Sequence, residues 1–477
     1  MKTFSVKSKF VMVLALVLAL FGGALLLFFG QSQKTVIRDA VAVDGPTNQE
    51  GYWSDEGRRA SGFSGGTGYE DSPYQISSAE ELAFLAYQVN EMGQTYAGRY
   101  FVLTDNIDLS EYYWQPIGMQ YDRSGTAINR PFAGNFDGAT YYIEGLYTPA
   151  VPDGVTDSTA LRGYNNQGLF GYVYGYPFTI KNITIQNSFV QGYENVGAVA
   201  GYFGGNYAGN YDTINNYIQN CTVAADVNVM GYSYVGGVIG QVYYRSAVEG
   251  CVNNGQITAS SDYVGGINGW SGGPISDCVN NGTITQNGAG STGGIVGSLM
   301  SVDISNCTNN GQIFVNSTAA GSANVGGIAG YSGSSVENCV NTTMGTISIN
   351  ASSFTGNYIG GVVGNGSSEA IISCNNQAEI NVTISGGYIG GVAGDGVVSS
   401  SYNTGNIIST MGTVGGVVGN GESTNSYNSG SITGGTVMGG VIGTCGTTNT
   451  FAMGATNSYN SGELNANENT QYIGGVI

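Results

Sequence analysis

The sequence predicts an all-β chain, a right-handed parallel β-helix (β-solenoid) with one short N-terminal capping helix, and three observations carry that expectation. Eighty of the 477 residues are glycine. From Val235 onward a GGxxG element recurs every 24 to 35 residues. Between its copies runs a second element, a Cys or Ser followed two places later by Asn, which trails each GG pair by 11 to 19 residues. Each repeat thus holds three short apolar stretches separated by Gly/Asn turns, too short and too rich in glycine for helices. Such strands cannot bury their apolar face alone, but identical repeats stacked in register make a continuous core.

Residues 1–30 read as a signal peptide or signal anchor. Lys2, Lys7 and Lys9 precede an uncharged run from Phe10 to Phe29, long enough either to be cleaved after export or to stay in the bilayer. Ala40-Val41-Ala42 is an A-x-A cleavage candidate. Residues 31–72 are polar and rich in Gly, Ser and Asp, with Trp53 and Arg58-Arg59 as landmarks, and are expected to form a linker. Residues 73–165 form an N-terminal module. It opens with a helix over Ser77–Asn90, where Leu82, Leu85, Ala86 and Val89 fall at helical spacing behind the capping pair Ser78 and Glu81. Tyr100–Leu109 and Pro131–Tyr147 then read as short strands and turns.

Residues 166–477 carry the repeats. GGxxG begins with glycines at 236, 265, 293, 326, 360, 390, 415 and 439, and a ninth copy, IGGVI, closes the sequence. With forerunners near Gln167 and Val196, eleven copies predict a rod of roughly 50 Å at the inter-strand spacing. The second element aligns Asn253, Asn280, Asn309, Asn341, Asn376, Asn403, Asn428 and Asn460. Asparagine tolerates a left-handed turn, and stacked amides can hydrogen-bond from coil to coil. Two places earlier stand Cys251, Cys278, Cys307 and their equivalents, replaced by Ser in later copies, so a small inward side chain suffices. Stacked neighbours lie within disulfide range, but their Cβ vectors run parallel; a thiol ladder is expected over bridges, although an exported compartment permits oxidation. Cys445 lies outside the register.

Composition removes several functions. Net charge is −19, and no Lys or Arg follows Arg245, so phosphate neutralisation, and with it nucleic-acid binding, is excluded. There is no histidine, which eliminates Ser/His/Asp triads, Cys/His pairs and HExxH zinc sites. No GGxxG copy is followed by Lys or opens a helix, so the phosphate-loop reading fails as well. Asp105, Asp108 and Asp137, with Glu144, could supply oxygen ligands to calcium; they lack a calcium-loop signature, and turn formation is the plainer reading. No cofactor and no catalytic residue are expected.

The segments SPYQISSAEELAFLAYQVN from Ser72, YFVLTDNIDLS from Tyr100, WQPIG from Trp114 and PFAGNFDG from Pro131, followed by reiterated GGVxG and YNxG elements, resemble GLUG-motif repeat proteins over about residues 72–477. The resemblance implies a bacterial, adhesin-like surface protein. Some immunoglobulin A endopeptidases carry similar repeats ahead of a zinc peptidase domain, whose HExxH is missing here.

The expected function is therefore an exported, non-catalytic rod at the cell surface, binding a surface, glycan or protein ligand and touching the membrane only through its first segment if that stays uncleaved. The stretches Tyr202–Tyr217 and Ser317–Asn324 are candidate ligand loops. One alternative is the stalk or substrate-gripping region of a larger surface zinc peptidase. That reading fits the final GGVI, which breaks off inside a repeat and is expected to mark a truncated rod. The other alternative is a polysaccharide-degrading β-helix enzyme, which needs carboxylates recurring at one repeat position; Glu249, Asp277, Asp303 and Glu369 do not recur so.

Overall fold

A computed structural model describes residues 45–175, 177–205, 213–317, 321–351, 356–445 and 454–477. The signal segment and its cleavage candidate lie outside the described residues, as do parts of both candidate ligand loops, 206–212 and 318–320. No helix among the described residues is long and apolar enough to cross a membrane.

The described chain is a parallel β-solenoid. Its strands form four strips along the axis: a wide 20-stranded sheet, a 12-stranded strip and two 10-stranded strips. Every paired set of strands is parallel except the hairpin Met119–Tyr121 with Ala127–Arg130. Twelve coils at about 4.8 Å per rung span roughly 50 Å.

One coil shows how a repeat folds. Ser233–Gly236 lies in a strip that carries the GG pairs, Ile239–Val242 and Ser246–Glu249 both join the wide sheet, Val252–Asn253 joins the 12-stranded asparagine strip, and Gln256–Ala259 lies in an isoleucine-rich strip. The expected three stretches per repeat are therefore five segments. Two- to four-residue strands broken at glycine corners are too short to show period-2 alternation, so neighbouring segments merge when read from sequence.

Side chains stack in register inside the coils. Val235, Val264, Thr292, Val325, Ile359, Ile389, Val414 and Met438 form one buried column, and Ile257, Ile284, Ile313, Ile347, Ile380, Ile407 and Ile432 form another. Each Val, Ile or Met side chain in these columns contributes about 1.5–3 kcal/mol of burial energy. Parallel strands buried by their neighbours supply what no single repeat can.

Helix α1, Ala79–Asn90, forms on the expected residues and joins the same core through Leu82, Leu85, Ala86 and Val89. The Ser78 hydroxyl accepts from the Glu81 amide, and Glu81 Oε2 accepts from the amide of Ser77, one residue before the cap. A second helix that the sequence did not suggest, α2 over Ser158–Arg162, starts where Asp157 accepts the Thr159 and Ala160 amides.

The expected linker is corrected over its described part, residues 45–72, which pack onto the N-terminal module. Trp53 is buried and donates its indole N–H to Leu109 O at 2.9 Å. Arg58 lies over Tyr112 and Arg59 over Tyr87, and Phe63 meets Phe84, Tyr96 and Phe101 edge-on. Isolated aromatic and cation–π anchors leave no periodic trace in sequence, so the segment reads as loop until its partners are in place.

Candidate functional site on the wide sheet

The eight aligned asparagines share one rung position in the asparagine strip, where Asn253 Nδ2 donates to Asn280 Oδ1 at 2.8 Å. The same contact repeats through Asn309, Asn341, Asn376, Asn403, Asn428 and Asn460 at 2.7–2.9 Å. The first seven are fully buried. Each Oδ1 that accepts the Gly or Ala amide two residues on also closes its own turn, as Asn253 does for Gly255 at 3.1 Å. The left-handed corner falls elsewhere than expected. It is taken by the residue just before each Cys or Ser, among them Asn306, Asn338, Ser373, Ser400 and Asn425, all with φ of 52–56°. The ladder asparagine itself is extended, and its amide spans rungs.

The cysteines stack as free, buried thiols at Cys221, Cys251, Cys278, Cys307, Cys339 and Cys374. Each donates to the carbonyl two residues back, as Cys307 Sγ does to Ser305 O at 3.3 Å. Burial pushes the Cys221 thiol up, and the Cys339 sulfur together with burial does the same at Cys374. The serines continue the column with the same donor and acceptor pattern: Ser401 Oγ accepts from Cys374 N at 2.9 Å and donates to Ser399 O at 2.8 Å. These two columns face inward and hold coils together; they offer nothing to a ligand.

The three acidic candidates part ways. Asp105 Oδ1 accepts the Asn106 amide and Asp108 Oδ1, at the end of the strand Ile107–Asp108, accepts the Ser110 amide, both at 2.8 Å and both exposed. Asp137 lies in the wide sheet, one rung from Lys181, whose Nζ is 3.3 Å from Asp137 Oδ2. Its other oxygen accepts from Ala139 N and Asn182 Nδ2, each at 2.8 Å. An ammonium thus occupies the position a bound cation would take. Glu144 sits in a different strip and accepts from Gln186. Among the described residues no group of three His, Cys, Asp or Glu is placed to hold a metal ion.

Asp137 and Lys181 line a cleft of about 400 Å³ on the outer face of the wide sheet. Tyr100 and Val102 supply its apolar side chains, while the rings of Phe101 and Phe136 point the other way, into the core. Its walls carry Glu70, Tyr100, Thr179 and Gln219. Register sets these side chains in a line: Val102, Asp137, Lys181, Gln219 and Glu249 follow rung by rung, and Gln219 Nε2 donates to Glu249 Oε2 at 2.8 Å.

A row of aromatics occupies the neighbouring half of the same sheet. Tyr172 and Tyr202 are register partners with ring centroids 5.4 Å apart, and Tyr243 and Trp270 extend the row at 6.1 and 6.2 Å. Burial raises the Tyr172 phenol to about 12, so the ring stays neutral. Lys181 does not stand out in the sequence, because it lies 44 residues from Asp137 and outside the GGxxG and Asn elements. The available signal was that Lys181 is the only lysine after Lys34.

No family model matches the chain. The chain is similar to Halomucin of Haloquadratum walsbyi, 29% identical over 233 residues that cover 43% of this chain and 2% of that protein. It spans only that small part of its relative's length. It is also similar in fold to a crystal structure from Bacteroides ovatus named as a candidate immunoglobulin A1 protease, at 22% identity and a TM-score of 0.44, covering 60% of this chain and 80% of the other.

Proposed function

We propose that the chain is an exported, non-catalytic, adhesin-like repeat protein of the GLUG kind that serves at the cell surface as a rigid ligand-binding rod. The observation that carries this reading is the line of outward side chains on the wide sheet, where successive coils add polar groups at Asp137, Lys181, Gln219 and Glu249 beside the aromatic row from Tyr172 to Trp270. A solenoid whose interior ladders hold the coils in register presents such a line pre-organised, so little entropy is lost on binding an extended ligand. Export is supported by Lys2, Lys7 and Lys9 ahead of the apolar run from Phe10. The resemblance of the Ser72 module and the GGVxG repeats to GLUG-motif proteins supports the surface location.

Two experiments test the reading. Antibody raised against the rod should label intact source cells, and the purified full chain should retain a ligand on arrays of glycans and extracellular-matrix proteins. A strictly internal location, or no retained ligand on either array, would overturn it.

A polysaccharide-degrading enzyme is the second reading, favoured by one observation: Lys181 Nζ lies 3.3 Å from Asp137 in a cleft, which sets a proton donor beside a carboxylate. Turnover of any polysaccharide by the purified chain, abolished in Asp137→Ala, would establish it in place of the binding rod. The reading as a gripping region of a larger zinc peptidase requires the zinc site to lie in another part of that protein, since this sequence has no histidine.

A further inference from the structure

We infer that the Asp137–Lys181 cleft binds a neutral, hydroxyl-rich saccharide chain that lies along the solenoid axis; this rests on the reading of the protein as a binding rod. The cleft's volume of about 400 Å³ falls within the range of small-ligand sites, about 300–1,000 Å³. Tyr100 at its wall, beside Val102, suits the C–H face of a sugar ring. The polar rim suits hydroxyls, which both donate and accept. Asp137 Oδ2 and the Glu70 carboxylate accept, while the Lys181 ammonium directs one of its three N–H groups at Asp137 and keeps donors for a ligand.

Charge selects among glycans. The rim has two carboxylates, Glu70 and Asp137, against one ammonium, on a chain of net charge −19. A uronate or sulfated polymer would meet like charge along its length. A neutral chain pays no such penalty and still gains charge-assisted hydrogen bonds. Direction follows from register. Asp137, Lys181 and Gln219 stand on consecutive rungs, so equivalent contacts recur about every 4.8 Å parallel to the axis, which matches a linear polymer better than a compact ligand.

Lys181 also supplies the test, because it is the only lysine after Lys34. The full chain is acetylated with an amine-reactive ester alone, then with neutral hexaoses (cello-, malto-, manno-, xylo- and chitohexaose), with a uronate hexamer and with a casein digest. Mass spectrometry reads the Lys181 peptide and, as control, the chain's α-amino terminus. At least one neutral hexaose should slow Lys181 acetylation severalfold and leave the terminus unchanged, whereas uronate and peptides should not protect. Lys181→Gln and Asp137→Asn should each weaken that hexaose about tenfold or more, as expected for loss of a charged hydrogen-bonding partner, with unchanged circular dichroism and melting temperature. Tyr100→Ala provides a second probe if either variant misfolds. Protection by uronate or peptide instead, no protection by any neutral hexaose, or undiminished affinity in the well-folded variants would overturn the inference. If the chain still retains a ligand on the arrays while Lys181 stays unprotected, the site assignment fails and the binding-rod reading stands; if nothing is retained anywhere, both fail.

Discussion

The backbone of Gly294 lies directly against the carboxamide of Asn309: a methyl group placed on the glycine would sit 2.4 Å from Asn309 Cγ and 2.0 Å from the carbonyl oxygen of Gly327 on the next coil. The relation repeats at Gly266 with Asn280, Gly327 with Asn341, Gly361 with Asn376 and Gly391 with Asn403. The two sequence motifs of each repeat therefore meet inside its coil. The second glycine of GGxxG is needed because the asparagine ladder occupies the space a side chain would fill. Gly294→Ala is expected to cost about 1–3 kcal/mol, the range for overpacking, since both neighbours are fixed by hydrogen bonds. Gly386→Ala, where a Cβ meets nothing within 4 Å, should be near neutral. Denaturant unfolding of the two variants checks the contrast.

Two amide ladders run side by side and should differ in weight. Asn309 is buried, donates to Asn341 at 2.9 Å and accepts from Asn280 at 2.9 Å. Asn310 lies in an exposed ladder, donating to Asn281 and accepting from Thr342, each at 2.7 Å. Asn309→Ala strands a buried donor and a buried acceptor and should destabilise by about 2–4 kcal/mol. Asn310→Ala should cost less than about 1 kcal/mol, because water replaces the lost partners. Equal losses at the two positions would show that the buried ladder has no special role.

Thr292 interrupts an aliphatic column between Val264 and Val325. It is fully buried, and its hydroxyl has no hydrogen-bond partner among the described residues. Thr292→Val keeps the shape and removes the unpaired group, so it should stabilise the chain by about 1 kcal/mol. A fall in the unfolding midpoint would contradict this.

The thiols give a count. Of seven cysteines, six are fully buried and only Cys445 is partly exposed. A disulfide-exchange reagent should therefore modify one thiol quickly in the native chain and all seven once it is unfolded without reductant. Fewer than seven in the unfolded chain would mean that neighbouring rungs are bridged. Cys307→Ser should fold normally, since Ser401 and Ser426 fill the same position with the same bonds.

Asp395 gives a pH dependence. Burial raises its carboxyl above the usual carboxylate range, against a smaller opposing effect of the Asn420 amide at 2.8 Å. The folded chain then binds this proton more tightly than the unfolded one, so ionisation opposes folding and stability falls as pH rises through the folded value. Asp395→Asn, flanked in register by Asn365 and Asn420, should remove that part of the dependence and be at least as stable near neutral pH. Comparing melting of parent and variant from about pH 4, the ordinary carboxylate value, upward to neutral pH isolates the effect; an unchanged slope would exclude it.

The repeat, its period and the parallel solenoid were legible in the sequence because they depend on local rules that recur: glycines that bend the chain, asparagines and small residues at fixed offsets, and apolar positions between them. Helix α1 was legible for the same reason, through its spacing and its cap. What register alone decides was not. The left-handed corners fall on residues such as Asn306 and Ser373 and not on the ladder asparagines, and either place suits the composition. Trp53, Arg58 and Arg59 bind the supposed linker to partners tens of residues away, contacts with no period to read. Lys181 meets Asp137 only because a coil of 44 residues returns it one rung above, and a pairing at that separation is created by the closing of the coil, not by any neighbour in the chain.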